Sequence, residues 1–296
     1  MATVAEQQKL DLREPTGWRR TSNRIATGLM VLSFVVVIIP LAFVLYTVIA
    51  KGASTISWSF LTSGIPPQVA PANVGGIGPA VLGTIEITAL ATVIAVPLGV
   101  LGAIYLNEYG GKGPLARLIG FMADVMTGVP SIVMGLFIVS IWVLHFGFSG
   151  LAGAFALGCL MLPVVIRSSD EMLKLVPDPL REASYALGAS KARVTLTVVL
   201  PAAVGGIVSG ALLAVARAAG ETAPLLFTIL TVTTANPNVF SGANTSLPSQ
   251  IFVNASSPYV GGQGRGWGAA LTLIAMAFIL MIAARIVTAR FTRYSR

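Results

Sequence analysis

The stretch Glu182–Pro201 reads E-A-S-Y-A-L-G-A-S-K-A-R-V-T-L-T-V-V-L-P and lies between two long apolar segments. It carries Lys191 and Arg193, with Arg181 just upstream, so it belongs on the positive, water-facing side of a bilayer. Leu180, Ala183, Tyr185 and Leu187 fit a short amphipathic helix among helix-forming alanines. Gly188 then permits the left-handed turn that ends a helix, and a second apolar run, Val194 to Leu200, is expected to stop at Pro201. Helix, glycine turn, helix, beside a membrane: the segment is shaped to dock into something.

Working outward, the 296-residue chain is 55% hydrophobic and only 10% charged, a composition foreign to soluble globular domains. The net charge of +8 invites a nucleic-acid reading, but the charges cluster at the edges of apolar segments, which excludes it. The single cysteine, Cys159, allows neither a disulfide framework nor a cysteine-based metal site, and His145, the lone histidine, reads as an interfacial residue.

Residues 1–24 form a polar tail, and the apolar run that follows, 25–50, is too long for a signal-peptide core and reads as an uncleaved anchor. Further spans are expected near 81–106, 119–144, 150–166, 204–230 and 267–289. The transmembrane domain thus covers residues 25–290, with a C-terminal tail at 291–296. Pro40, Pro97, Pro130, Pro163 and Pro224 fall inside these spans and predict kinks supported by neighbouring helices. Residues 51–79 form a Gly/Pro-rich loop in which Trp58 suits an interface, and 231–266 form a long, nearly uncharged loop suited to meeting a soluble receptor. Its N-x-[ST] matches at Asn244 and Asn254 read as chance matches.

Six spans place both termini on one side, and the basic residues say which. Sixteen of the nineteen Lys and Arg fall in the N-terminal tail, the 107–118 and 167–201 loops, and the C-terminal end at Arg285, Arg290, Arg293 and Arg296. Only Lys51 and Arg265 fall in the opposite loops, and Arg217 falls within a span. The expectation is an all-α, six-span membrane protein, N-in and C-in, with Glu182–Pro201 in the cytoplasm.

The spacing of that loop carries a resemblance. Glu182, Ala183 and Ser184, then Gly188, then Val198, Leu200 and Pro201, resemble the signature loop of ABC import permeases, departing only in Ser at the third position. The resemblance implies a type I importer permease fold and a coupling helix, built on Glu182, Ala183, Gly188, Leu200 and Pro201, seated in an ATPase subunit. The chain has no G-x-x-x-x-G-K-[ST] phosphate loop, so ATP and Mg belong to a separate ATPase and no cofactor is expected here.

Arg217 and Glu221 stand four apart and share a helix face within the fifth span. Counted from Gly205, Arg217 lies roughly 18 Å along the helix, near mid-bilayer. A charge there costs at least about 2.5–3.5 kcal/mol. Either the two charges neutralise one another as a structural staple, or Arg217 offers its planar fork to a passing oxyanion. The run A-R-A-A-G-E-T-A-P-L-L at 216–226, with G-G-I-G-P-A-V-L-G-T at 75–84 and G-V-P-S-I-V at 128–133, resembles phosphate-specific ABC permeases of the PstA type. That resemblance implies a bacterial inner-membrane importer of phosphate. Its implied partners are a second permease (PstC-like), an ATPase pair (PstB-like) and an extracytoplasmic phosphate-binding protein (PstS-like). Permeation of another oxyanion, molybdate or sulfate, is the alternative within the class.

Two acids lie near span ends. Glu86, near the start of the second span, is either an interfacial carboxylate snorkelling to water or a pathway residue. Asp124 reads as a helix N-terminal charge close to Arg117, outside the site. An intramembrane enzyme would need a convergent nucleophile and base, and no Ser/His pairing or H-E-x-x-H pattern occurs. A passive channel would not need the signature loop.

Overall fold

The computed structural model describes residues 17–111 and 113–293, so the tail calls on 1–16 and 294–296, and Lys112, lie outside the described residues. The chain divides into two compact units, Met1–Ile49 and Ala50–Arg296. The first contains most of helix α1 (Trp18–Gly52), which begins inside the expected tail. The hydroxyls of Thr27, Ser33 and Thr47 each donate to a backbone carbonyl one turn earlier, which hides them within an apolar helix.

The second unit is helical throughout its regular structure. Its helices are α2 (Trp58–Thr62), α3 (Gly78–Ile104), α4 (Pro114–Gly128), α5 (Ser131–Ile138), α6 (Leu144–Phe146) and α7 (Gly150–Lys174). There follow α8 (Asp178–Ala186), α9 (Lys191–Val194), α10 (Leu200–Ala219), α11 (Ala223–Thr228), α12 (Leu247–Ala255) and α13 (Val260–Arg293). Widened π-helical turns at Tyr105–Tyr109, Val139–Val143 and Thr195–Val199 extend or join neighbouring α-helices. Among the described residues, five helices are long and apolar enough to cross a membrane, or six if the bent pair Pro114–Gly128 and Ser131–Phe146 is one span.

Small residues set the packing. Helix α3 lies along α7 with Ala91 and Ala95 against Ala154, Leu157 and Met161, and Val215, Ala218, Leu225 and Ile229 complete the same core. Alanine and glycine faces let apolar helices approach closely where no hydrophobic drive separates helix from lipid. A second cluster, Ala103, Leu173, Val176, Val194, Val199, Ala203 and Ile207, closes the end of the bundle that carries α8.

Several boundaries differ from the sequence expectation. The third span is two helices bent by 109° at Val129–Pro130, far more than a kink, because Pro130 has no N–H with which to continue the ladder. The fifth span stops at Ala219, breaks over Gly220–Thr222 and resumes as α11. Pro201 does not end a helix: the path from Lys191 to Ala219 is continuous, and the widened turn Thr195–Val199 just before it makes room for the ring. Helix α7 continues to Lys174, beyond the expected 166.

The 231–266 loop is folded over part of its length, and its residues 233–242 are mostly exposed. Residues 244–250 are buried, α12 starts in a reciprocal capping box of Ser246 and Ser249, and α13 already begins at Val260. The Leu247 N–H donates to the Thr84 hydroxyl, and Gln250 Nε2 donates to the Val232 carbonyl and Thr245 Oγ1. With most of its polar groups satisfied internally, the Asn244 Nδ2 excepted, the segment can leave water. Gly83 permits the contact: a Cβ there would stand 2.0 Å from the Thr245 carbonyl oxygen. Asn244 and Asn254 are 1% and 3% exposed, so neither is presented for modification in the folded chain.

Candidate functional site: a charged cavity and the α8 end

The break in the third span opens a cavity of about 220 Å³. Met126, Thr127, Val129, Pro130 and Ser131 form one wall, Leu160, Met161, Pro163 and Val164 of α7 a second, and Ala214, Arg217, Ala218 and Glu221 the third. The G-V-P-S-I-V and A-R-A-A-G-E runs, 80 or more residues apart in the chain, thus face one space. Arg217 sits in the last turn of α10, where the helix dipole favours a cation, and Glu221 sits in the link after it.

The two charges are neighbours but not tightly bound. Arg217 Nε is 3.8 Å from Glu221 Oε1, beyond hydrogen-bond length, and the Arg217 side chain is 74% exposed against 21% for Glu221. A staple would be short and enclosed; this guanidinium keeps donors turned to an open space. Glu86 is not brought into the cavity wall. The residue is part-exposed, and its Oε2 is buried without a hydrogen-bond partner. Asp124 pairs with Arg167 of α7, not Arg117, because α4 places it near the helix C-terminal end facing that helix.

At the other end, α8 matches the helix expected from the sequence. Its termination is a complete Schellman arrangement: the Gly188 N–H donates to the Tyr185 carbonyl and the Ala189 N–H to the Ser184 carbonyl, with Gly188 at φ +80°. Ser190 then caps α9, accepting from the Arg193 N–H. Ser184, the departure from the usual triplet, donates its hydroxyl to the Leu180 carbonyl. Glu182 and Ala183 are exposed, and Leu187 is 89% exposed beside exposed Leu180 and Tyr185. Leu200 and Pro201 lie instead within the α10 path, beyond α8.

What the sequence did not reveal is how α8 is held. Arg181, 13% exposed, pairs with the nearly buried Glu108 of the π-helical turn after α3, Nη2 to Oε1 at 3.0 Å. The same guanidinium donates to Asn107 Oδ1, Asp178 Oδ1 and the Leu173 and Val176 carbonyls at the end of α7. Lys191 of α9 lies over the Tyr109 ring at 5.1 Å. Arg265, placed by sequence in a loop, is 1% exposed within α13 and donates to the Pro67, Gln68, Ala70 and Pro71 carbonyls.

Comparison with known proteins places this architecture. Residues 95–293 match the family described as "Binding-protein-dependent transport system inner membrane component". The chain is 44% identical over 284 residues to the phosphate transport system permease protein PstA 1 of Mycobacterium tuberculosis, covering 94% of this chain and 91% of that protein. It is 41% identical to PstA of Yersinia pestis, covering 98% and 96%. The chain belongs to the PstA family. Solved permease folds agree: an alginate ABC transporter chain superposes with TM-score 0.62 at 12% identity, over 93% of this chain and 98% of that one. A chain of the MetNI methionine transporter gives 0.57 at 19% identity, over 73% and 94%. The PstA-family chain is therefore a multi-pass inner-membrane permease with the type I ABC importer fold, and its role is transport.

Proposed function

We propose that this chain forms, with a second permease of PstC type, the pathway through which an ATP-driven complex imports phosphate. Kinship with curated phosphate permeases supports the substrate, and the cavity that joins Arg217 to the broken third span carries the site assignment. Phosphate delivered by a PstS-like binding protein passes Arg217, whose fork makes two parallel charge-assisted bonds. The long Arg217–Glu221 separation suits transient holding, since transport requires release as well as binding. At the coupling end, Glu182, Ala183 and the Gly188 turn present α8 to a PstB-like ATPase pair that holds ATP and Mg, and Leu200 and Pro201 carry the motion into α10. Both termini face the cytoplasm in this reading, and Glu86 remains a candidate pathway residue on α3.

The test is phosphate uptake by cells carrying Arg217→Gln with Glu221→Gln, with complex assembly measured in the same cells. The expected outcome is normal assembly with uptake lost, and Arg217→Lys retaining part of it because a point charge attracts phosphate without the bidentate fork. Near-normal uptake by the assembled double variant reduces the pair to a structural staple. Uptake of sulfate or molybdate in place of phosphate by the wild-type complex overturns the substrate.

A further inference from the structure

We propose that the Arg181 guanidinium is the joint that makes the coupling helix and the ends of the α3 and α7 spans move as one body, so that Arg181 and Glu108 are positioning residues for transport. The proposal rests on the coupling role assigned above to α8, and it adds how motion at α8 enters the membrane-spanning part.

The chain path between α8 and α3 offers no such link, since Arg181 and Glu108 are 73 residues apart. The link is made in space by one side chain. Arg181 Nε and Nη2 both donate to Glu108 Oε1, at 3.2 and 3.0 Å. Its remaining donors reach Asn107 on the same turn, the Leu173 and Val176 carbonyls closing α7, and Asp178 at the start of α8. Three separate elements therefore share one planar, always-charged group.

Enclosure makes this connection stiff. The Glu108 side chain is 5% exposed and that of Arg181 13%, so separating them would leave a charge without compensation in a poorly solvated place. The exposed i,i+3 pair to Asp178 is a weaker arm, Asp178 being 84% exposed. The acceptors also sit where the helices are least regular, in the π-helical turn Tyr105–Tyr109 and the final turn of α7. The guanidinium thus adds a polar tie to the three-residue α7–α8 link and to the Lys191–Tyr109 contact.

A lysine at 181 would keep the charge but has three donors on one nitrogen, too few and too clustered for acceptors on three elements. The experiment uses the whole complex in vesicles, with inorganic phosphate and its binding protein. Three quantities are read for Arg181→Lys and Glu108→Gln: ATPase subunit bound per permease, phosphate-stimulated ATP hydrolysis, and phosphate imported per ATP hydrolysed. The expected result is wild-type assembly, hydrolysis still stimulated, and about tenfold or greater loss of phosphate imported per ATP. Unchanged import per ATP overturns the joint, as does loss of import strictly in proportion to loss of assembly, which is what a purely structural cap would give. The wild-type complex separates this from the substrate reading. If sulfate or molybdate stimulates it and phosphate does not, the substrate assignment falls, and the same ratio measured with that anion still decides the joint.

Discussion

Arg181 and Arg217 are both helix arginines in the second half of the chain, and they are used in opposite ways. Arg181 is 13% exposed and spends its donors on side chains and carbonyls of three elements. Arg217 is 74% exposed, faces a cavity and has one carboxylate at 3.8 Å. A guanidinium whose donors are saturated by protein can stiffen a structure but has nothing left for a ligand. One whose donors are unsaturated adds little rigidity and is free to meet an anion. Arg265 is the extreme of the first kind, fully enclosed, with its two Nη atoms donating to four carbonyls of the 67–71 segment while its Nε finds no partner.

The comparison predicts a ranking. Arg265→Met should have the largest effect on folding, because it removes four part-buried hydrogen bonds from a charged donor, each contributing about 1.5–3 kcal/mol. Folded protein in the membrane fraction and its thermal aggregation midpoint should both fall sharply. A variant as stable as wild type would mean that the four contacts add nothing.

Gly188→Val comes next and should act on coupling more than on folding. The position has open space around it, so the effect is backbone strain alone, about 1–3 kcal/mol for a β-branched residue held at φ +80°. Phosphate-stimulated ATP hydrolysis by the assembled complex should drop, while Gly188→Asn, which tolerates that backbone region, should keep most of it. Wild-type stimulation with valine in place would remove the turn from the coupling mechanism.

Arg217→Gln should have the smallest effect on stability, within about 1 kcal/mol, because an exposed ion pair contributes little. Its thermal aggregation midpoint should match wild type even as uptake fails. A large destabilisation would place Arg217 with Arg181 and Arg265 among the structural arginines.

How far each feature was legible in the sequence follows from the range of the interactions that make it. The coupling helix was readable because capping, the glycine turn and amphipathic spacing act within a few residues, and Gly188 and Ser190 do what their types favour. The apolar spans were readable because length and hydropathy are local sums. The neighbourhood of Arg217 and Glu221 was readable because residues four apart share a helix face. Pro130 signalled a disturbance in the third span, though not a turn of 109°.

The sequence by itself therefore determined the all-helical membrane architecture, the place of the docking helix and the presence of a charged pair within a span. Only the tertiary structure decided which arginine is enclosed and which is open. It also decided that the 244–250 segment is buried and that the broken third span shares a cavity with Arg217. The physical reason is that a buried donor must find its acceptor wherever the fold brings one. The carboxylate partner of Arg181 lies 73 residues away and the acceptors of Arg265 lie 194 to 198 away, with no local pattern to announce them.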